Sequence, residues 1–123
     1  MDAMSRERVL VVDDDPLIRI GTAVMLSDLG FAPLMAADAE DAIARMGEAG
    51  EVEILVTDYE MPHYTGVELA AMVKAVRPDT RILVVSGRHG LERLIAPEWG
   101  LLAKPFTPEE LCAALGRLET RMH

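Results

Sequence analysis

Short apolar runs recur along the chain, separated by stretches in which apolar residues return every three or four positions. Val9-Leu10-Val11-Val12, Ile54-Leu55-Val56, Arg81 to Val85 and Leu101-Leu102-Ala103 have the near-continuous apolar character of strands covered on both faces. Phe31 to Met35 makes a weaker strand, and Pro33, which cannot donate to a ladder, suits a sheet edge. The intervening stretches read as helices. Pro16 opens one that runs to about Leu29, capped by Asp15 and stopped by Gly30. It carries two apolar stripes: Ile18, Met25 and Leu29 with Gly21 and Thr22 between them, and Leu17, Ile20 and Val24. A helix on one side of a sheet buries only one stripe, so the second is left for another purpose.

Asp38 caps a second helix through about Met46, with Ala42, Ile43 and Met46 inward and Gly47 and Gly50 closing it. Thr65 and Glu68 have capping-box spacing, and the helix they open places Leu69, Met72, Val73 and Val76 on one face before Arg77-Pro78 stops it. Residues 89 to 96 have room for about two helical turns before Pro97. Thr107-Pro108-Glu109-Glu110 is a second capping box, and the last helix turns Leu111, Leu115 and Leu118 inward. Five strands alternating with five helices, the fourth short, imply an α/β fold with a parallel sheet, helices on both faces and right-handed crossovers. The flavodoxin-like (βα)5 arrangement, with strand order 2-1-3-4-5, fits one domain over residues 1–123.

Composition narrows the function classes. No apolar run approaches the roughly 18 residues of a membrane span, and Met1 to Arg8 is no signal peptide, so a cytoplasmic location is expected. Cys112 is the only cysteine, which excludes an internal disulfide and a cysteine-rich metal site. A net charge of −9 argues against a nucleic-acid partner, which would need clustered Lys and Arg.

The chemistry gathers at the strand ends. The first strand ends in Asp13-Asp14-Asp15, the third in Asp58, the fourth in Ser86 and the fifth in Lys104. In the order 2-1-3-4-5 these four strands are adjacent, and ligands of open α/β sheets bind outside the strands' carboxyl ends. An aspartate after a strand is most often only a helix cap, and Ser-Gly or Lys-Pro most often a turn. The informative feature is the set at matching strand ends. Clustered carboxylates repel unless something positive sits among them, and a hard divalent cation such as Mg2+ meets that need. Lys104 adds a positive charge for an anionic oxygen, and Ser86 a hydroxyl donor. A carboxylate nucleophile, a metal, a lysine and a hydroxyl make a phosphoryl site with an aspartyl phosphate as its covalent state.

With these residues in place the chain resembles the receiver domain of two-component response regulators over nearly its whole length. Val11-Val12-Asp13-Asp14 is similar to the family's acid pair, Leu55 to Asp58 with Met61-Pro62 and Gly66 to its phosphoacceptor segment, Ser86-Gly87 to its hydroxyl position, and Lys104-Pro105-Phe106 to its lysine motif. The resemblance implies that Asp58 accepts a phosphoryl group from a histidine kinase or a histidine phosphotransfer protein, and that the protein catalyses only its own phosphorylation and dephosphorylation. It implies Mg2+ held directly by Asp14, Asp58 and the Glu60 backbone carbonyl, with Asp13 acting mainly through water. It assigns Ser86 and Lys104 to the phosphoryl oxygens and makes the Lys104–Pro105 bond cis.

Two departures stand out. The aromatic residue the family carries three positions before the lysine is Leu101 here. Only the 17 residues from 87 to 103 separate Ser86 from Lys104, which shortens the fourth helix and is similar to receivers that stand alone or are attached to hybrid kinases. Glu60 and Arg88, two residues after Asp58 and Ser86, are expected to tune hydrolysis, against the plainer reading of surface charges. Leu17, Ile20 and Val24 are expected to dock the phosphoryl donor, against burial or self-association. His63, His89 and His123 lack metal-ligand spacing and should face solvent, and Trp99 should anchor a loop. The rival reading is a Mg-dependent phosphatase resembling the haloacid dehalogenases, since Asp13-Asp14-Asp15-Pro16-Leu17 approaches their Asp-x-Asp-x-Thr/Val motif. It fails at Leu17 and leaves Asp58 without a role. A phosphorylation-dead interaction module is disfavoured because each required site residue is present.

Overall fold

The computed structural model describes residues 6–121, with side chains through Leu118. Five parallel strands, β1 (Arg8–Val12), β2 (Ala32–Ala36), β3 (Ile54–Asp58), β4 (Arg81–Ser86) and β5 (Gly100–Ala103), form one sheet in the order β2-β1-β3-β4-β5. The flavodoxin-like expectation holds, and β2 with Pro33 lies at an edge. The helices are α1 (Pro16–Asp28), α2 (Ala39–Ala49), α3 (Gly66–Val76) and α4 (Pro108–Arg121).

Side-chain alternation along the strands divides the core in two. Val9, Val11, Ile54, Val56, Leu83 and Val85 point to the face covered by α1 and α4, through Leu26, Leu111, Ala114, Leu115 and Leu118. Leu10, Val12, Leu55, Ile82 and Val84 point to the face covered by α2 and α3, through Ala42, Met46, Leu69, Ala70 and Val73. Both capping boxes form: Thr65 with Glu68, and Thr107 with Glu110. No described helix is long and apolar enough to cross a membrane.

Several helix expectations need correction. Among the described residues four α-helices are present, not five. Between Gly87 and β5 only a single 3-10 turn forms, Glu92–Leu94, preceded by Gly90 at φ 80° and by Leu91, which offers no capping side chain. A segment this short, without a cap and ending at Pro97, does not repay the cost of helix nucleation. A cavity of about 330 Å³ lined by Glu92, Ile95, Pro97, Trp99 and Leu101 lies beside this turn. Trp99 packs half-buried against the core there, as a loop anchor should.

The inner face of α1 is built on Thr22, Ala23 and Leu26, with Met25 and Leu29 packed beside them. Ile18 lies past the sheet end and remains exposed. Gly47 sits inside α2, which runs on to Gly50 at φ 80°. Val76 of α3 is exposed rather than inward, because it falls at the helix end. His63 and His89 are exposed, and His123 lies outside the described residues.

Candidate functional site

The sheet register brings the predicted residues to one edge. Asp58 ends β3 opposite Val85, and Ser86 ends β4 opposite Ala103, so Lys104 follows directly beyond its neighbour strand. The Lys104 N–H donates to the Ser86 carbonyl at 2.9 Å, and the Lys104–Pro105 bond is cis. On the other side, Asp13 extends β1 by one residue, its N–H donating to the Ala36 carbonyl at 3.3 Å.

Lys104 occupies the centre. Its Nζ lies 3.0 Å from Asp13 Oδ2 and 3.1 Å from Asp58 Oδ1. The side chains of Lys104, Asp13 and Asp58 are 19 %, 6 % and 11 % exposed, so these ion pairs sit in a largely desolvated pocket. Asp13 Oδ1 accepts from the Asp15 N–H at 2.9 Å, so both its carboxylate oxygens are engaged. Asp14 is exposed at the pocket mouth.

Carboxylate oxygens of Asp13, Asp14 and Asp58 all lie within 4.8 Å of one another. A set of hard oxygen donors this close fits a hard divalent cation rather than a soft one, so these residues could hold a metal.

The electrostatics are those of an acid cluster with too little positive charge. Burial raises the Asp58 carboxyl above its ordinary value. The Lys104 hydrogen bond and charge pull it down, and the charges of Asp13 and Asp14 push it up again. For Lys104, burial works against the charged form. The hydrogen bonds it donates to Asp13 and Asp58, and their charges, overcome it and hold the ammonium above its usual range.

The loop after β3 is shaped by backbone crowding. A Cβ on Gly66 would stand 2.3 Å from the Asp58 carbonyl oxygen, so only glycine fits where α3 starts against the strand end. The Gly66 N–H donates to the Tyr59 carbonyl at 2.7 Å, and Glu60 bridges to Thr65 across the loop. His63 takes a left-handed conformation, φ 73°, which a non-glycine residue adopts only at a cost.

Across the mouth, Arg88 Nε pairs with Glu60 Oε2 at 3.1 Å, both side chains mostly in solvent. Ser86, buried, accepts from the Arg88 N–H through its Oγ at 2.9 Å. The stripe Leu17, Ile20 and Val24 is 82 %, 50 % and 55 % exposed and lies on the outer face of α1. Leu17 alone of the three also lines a cavity of about 270 Å³, whose α1 wall is otherwise Ile18, Gly21, Thr22 and Met25 and whose far side is the turn at Lys104, Pro105 and Phe106.

The structure also brings in residues that the sequence pattern did not single out. Thr57 is fully buried and its hydroxyl donates to the Asp58 carbonyl at 3.0 Å. Arg19 Nη1 donates to the Asp13 carbonyl at 2.9 Å. Thr57 falls within the phosphoacceptor segment, but its own signal is only a hydroxyl inside an apolar strand; Arg19 belongs to no motif, and its signal is a cation in the first turn of α1.

Comparison with known proteins agrees with this geometry. The family described as response regulator receiver domain matches residues 9–116. The transcriptional regulatory protein AruR of Pseudomonas aeruginosa is 33% identical over 94% of this chain, which spans 50% of AruR. The chemotaxis protein CheY of the same species is 31% identical, covering 94% of this chain and 98% of CheY. Among solved structures, Vibrio cholerae CheY4 superposes with a TM-score of 0.83 at 30% identity, covering 93% of this chain and 99% of that one. With its five-stranded order and its strand-end residues in register, the chain belongs to the response regulator receiver domain family of two-component systems.

Proposed function

We propose that Asp58 is the phosphoacceptor of a Mg2+-dependent phosphorelay, receiving its phosphoryl group from a phosphohistidine on a sensor kinase or phosphotransfer protein. The observation that carries this reading is Lys104 held between Asp13 and Asp58, with Asp14 open to the same pocket. A carboxylate oxygen of Asp58 forms the new P–O bond while the donor's P–N bond breaks. The imidazole leaves with the electron pair and takes a proton from solvent. Lys104 and Ser86 stand on the β4 and β5 side of Asp58, where they can bind phosphoryl oxygens as charge moves onto them.

Asp14, Asp58 and the Glu60 carbonyl would hold the metal directly, and Asp13, with both oxygens already occupied, mainly through water. Mg2+ supplies positive charge shared between carboxylate and phosphoryl oxygens. Leu17, Ile20 and Val24 would dock the donor, since an exposed apolar stripe beside the site costs solvation unless a partner covers it. The Glu60–Arg88 pair would tune hydrolysis by controlling how water reaches the phosphoryl group. We place the reaction in the cytoplasm and assign the protein no turnover of external substrates.

Incubation with Mg2+ and a phosphohistidine or small acyl-phosphate donor tests the reading. The expected product is one protein-bound phosphoryl group, acid-labile and released by hydroxylamine, absent from Asp58→Asn. Multiple turnover of a simple phosphate ester by an Asp58→Asn variant would instead support a phosphatase built on Asp13.

A further inference from the structure

Arg19 stands one turn into α1, and its Nη1 reaches back to the Asp13 backbone carbonyl at 2.9 Å. The ladders of β1 with both β2 and β3 end at Val12, so this carbonyl lies one residue beyond the sheet's own pairs. Asp13 is buried, and a buried carbonyl without a partner is costly. Arg19 therefore meets a need created by extending the acid pair past the strand end.

The consequence reaches Asp14. The Asp13 carbonyl belongs to the planar peptide unit that joins Asp13 to Asp14, so fixing that oxygen fixes the plane from which the Asp14 side chain departs. Asp13 is then held at four points: its N–H by the Ala36 carbonyl, its carbonyl by Arg19, Oδ1 by the Asp15 N–H and Oδ2 by Lys104. We infer that Arg19 is a positioning residue for the metal site, orienting Asp14 through the Asp13–Asp14 peptide rather than touching metal or phosphoryl group. This rests on the Mg2+ reading above.

Charge and geometry predict opposite signs, which makes the inference testable. Removing a positive charge near a cation site by itself favours cation binding, whereas loosening Asp14 weakens it. Arg19→Met should raise the Mg2+ dissociation constant about tenfold, the scale of lost outer-shell support. It should do so in folded protein, with the maximal phosphorylation rate at saturating Mg2+ changed by less than about twofold, because positioning support is lost as affinity first. Arg19→Lys, whose ammonium can still donate to the carbonyl, should recover most of the affinity. Arg45→Met, which removes an equal charge from an exposed pair with Asp41 on α2, is the control and should leave affinity unchanged or slightly tighter.

Amide chemical shifts followed through a Mg2+ titration read affinity from folded molecules alone. A residue that only steadied the fold would lower the melting temperature and leave that affinity intact. Unchanged or tighter binding by Arg19→Met overturns the inference, as does an Arg19→Lys variant as weak as Arg19→Met. A parent protein in which Mg2+ moves no amide near Asp13, Asp14 and Asp58 overturns the metal reading itself, and this inference with it.

Discussion

Gly66→Ala places one methyl group where the fold has no room. The new Cβ would lie 2.3 Å from the Asp58 carbonyl oxygen and 3.1 Å from both the Asp58 carbonyl carbon and the Tyr59 Cα, whereas ordinary contact begins at 3.4 Å. All three atoms are backbone, so no side chain can rotate away. The strand side is pinned by the Asp58–Val85 pairing and by the Tyr59 N–H on the Val85 carbonyl at 2.8 Å. The helix side is pinned by the Gly66 bond to Tyr59 and by the Thr65–Glu68 capping box.

Relief needs a shift of about 1 Å between β3 and α3, an overpacking that costs ~2–3 kcal/mol when the surroundings are rigid. Alanine returns roughly 0.4–1 kcal/mol by restricting the unfolded chain, leaving a net loss of about 2 kcal/mol. Urea unfolding should show the midpoint lowered by about 1 M at unchanged slope. Because the displaced atoms belong to Asp58, labelling by an acyl-phosphate donor should also slow, by up to ~100-fold for an ångström of misplacement. A parent-like midpoint together with a parent-like labelling rate would refute the crowding argument.

Three further expectations test separate parts of the account. The proton binds Asp58 more tightly in the folded than in the unfolded chain, chiefly through burial, so metal-free stability falls as pH rises from the ordinary carboxylate value through the raised one. Asp58→Asn should therefore melt higher than the parent at neutral pH, with the gap closing in acid; a gap that widens in acid contradicts the sign. Ile20→Asp should reduce the rate of phosphotransfer from the cognate donor while leaving small-donor labelling and melting temperature unchanged, and an unaltered protein-donor rate removes the docking role. Glu60→Ala and Arg88→Ala should each change the half-life of the phosphorylated form in the same direction, since they form one ion pair, whereas parent-like half-lives reduce the pair to surface charge.

The sheet and its site edge were legible in the sequence because buried parallel strands read as apolar runs, and each run ended in a residue with distinct chemistry. Caps at Asp15, Asp38, Thr65 and Thr107 were equally plain, being local side-chain to backbone bonds. The outward stripe of α1, Leu17, Ile20 and Val24, was legible as well, whereas the inward anchors Ala23 and Leu26 were not, because they fall outside both apolar stripes. The short fourth helix shrinks further than its room for two turns implies, to the single 3-10 turn Glu92–Leu94, because Leu91 offers no capping side chain before it. Arg19 escaped because its role is a bond to the Asp13 carbonyl, a backbone atom that a residue pattern does not encode; Gly66 was marked as part of the loop after Asp58, but not the contact with the Asp58 carbonyl that requires glycine there.

The central claim is that Asp58, and no other carboxylate of the cluster, carries the phosphoryl group. Borohydride reduces an aspartyl phosphate to homoserine, so the protein can be labelled with a donor and Mg2+, reduced, digested and sequenced by mass spectrometry. Homoserine at position 58 alone, absent when Mg2+ is chelated, is the predicted result. Homoserine at position 13 or 14, or at none of the three, would contradict it.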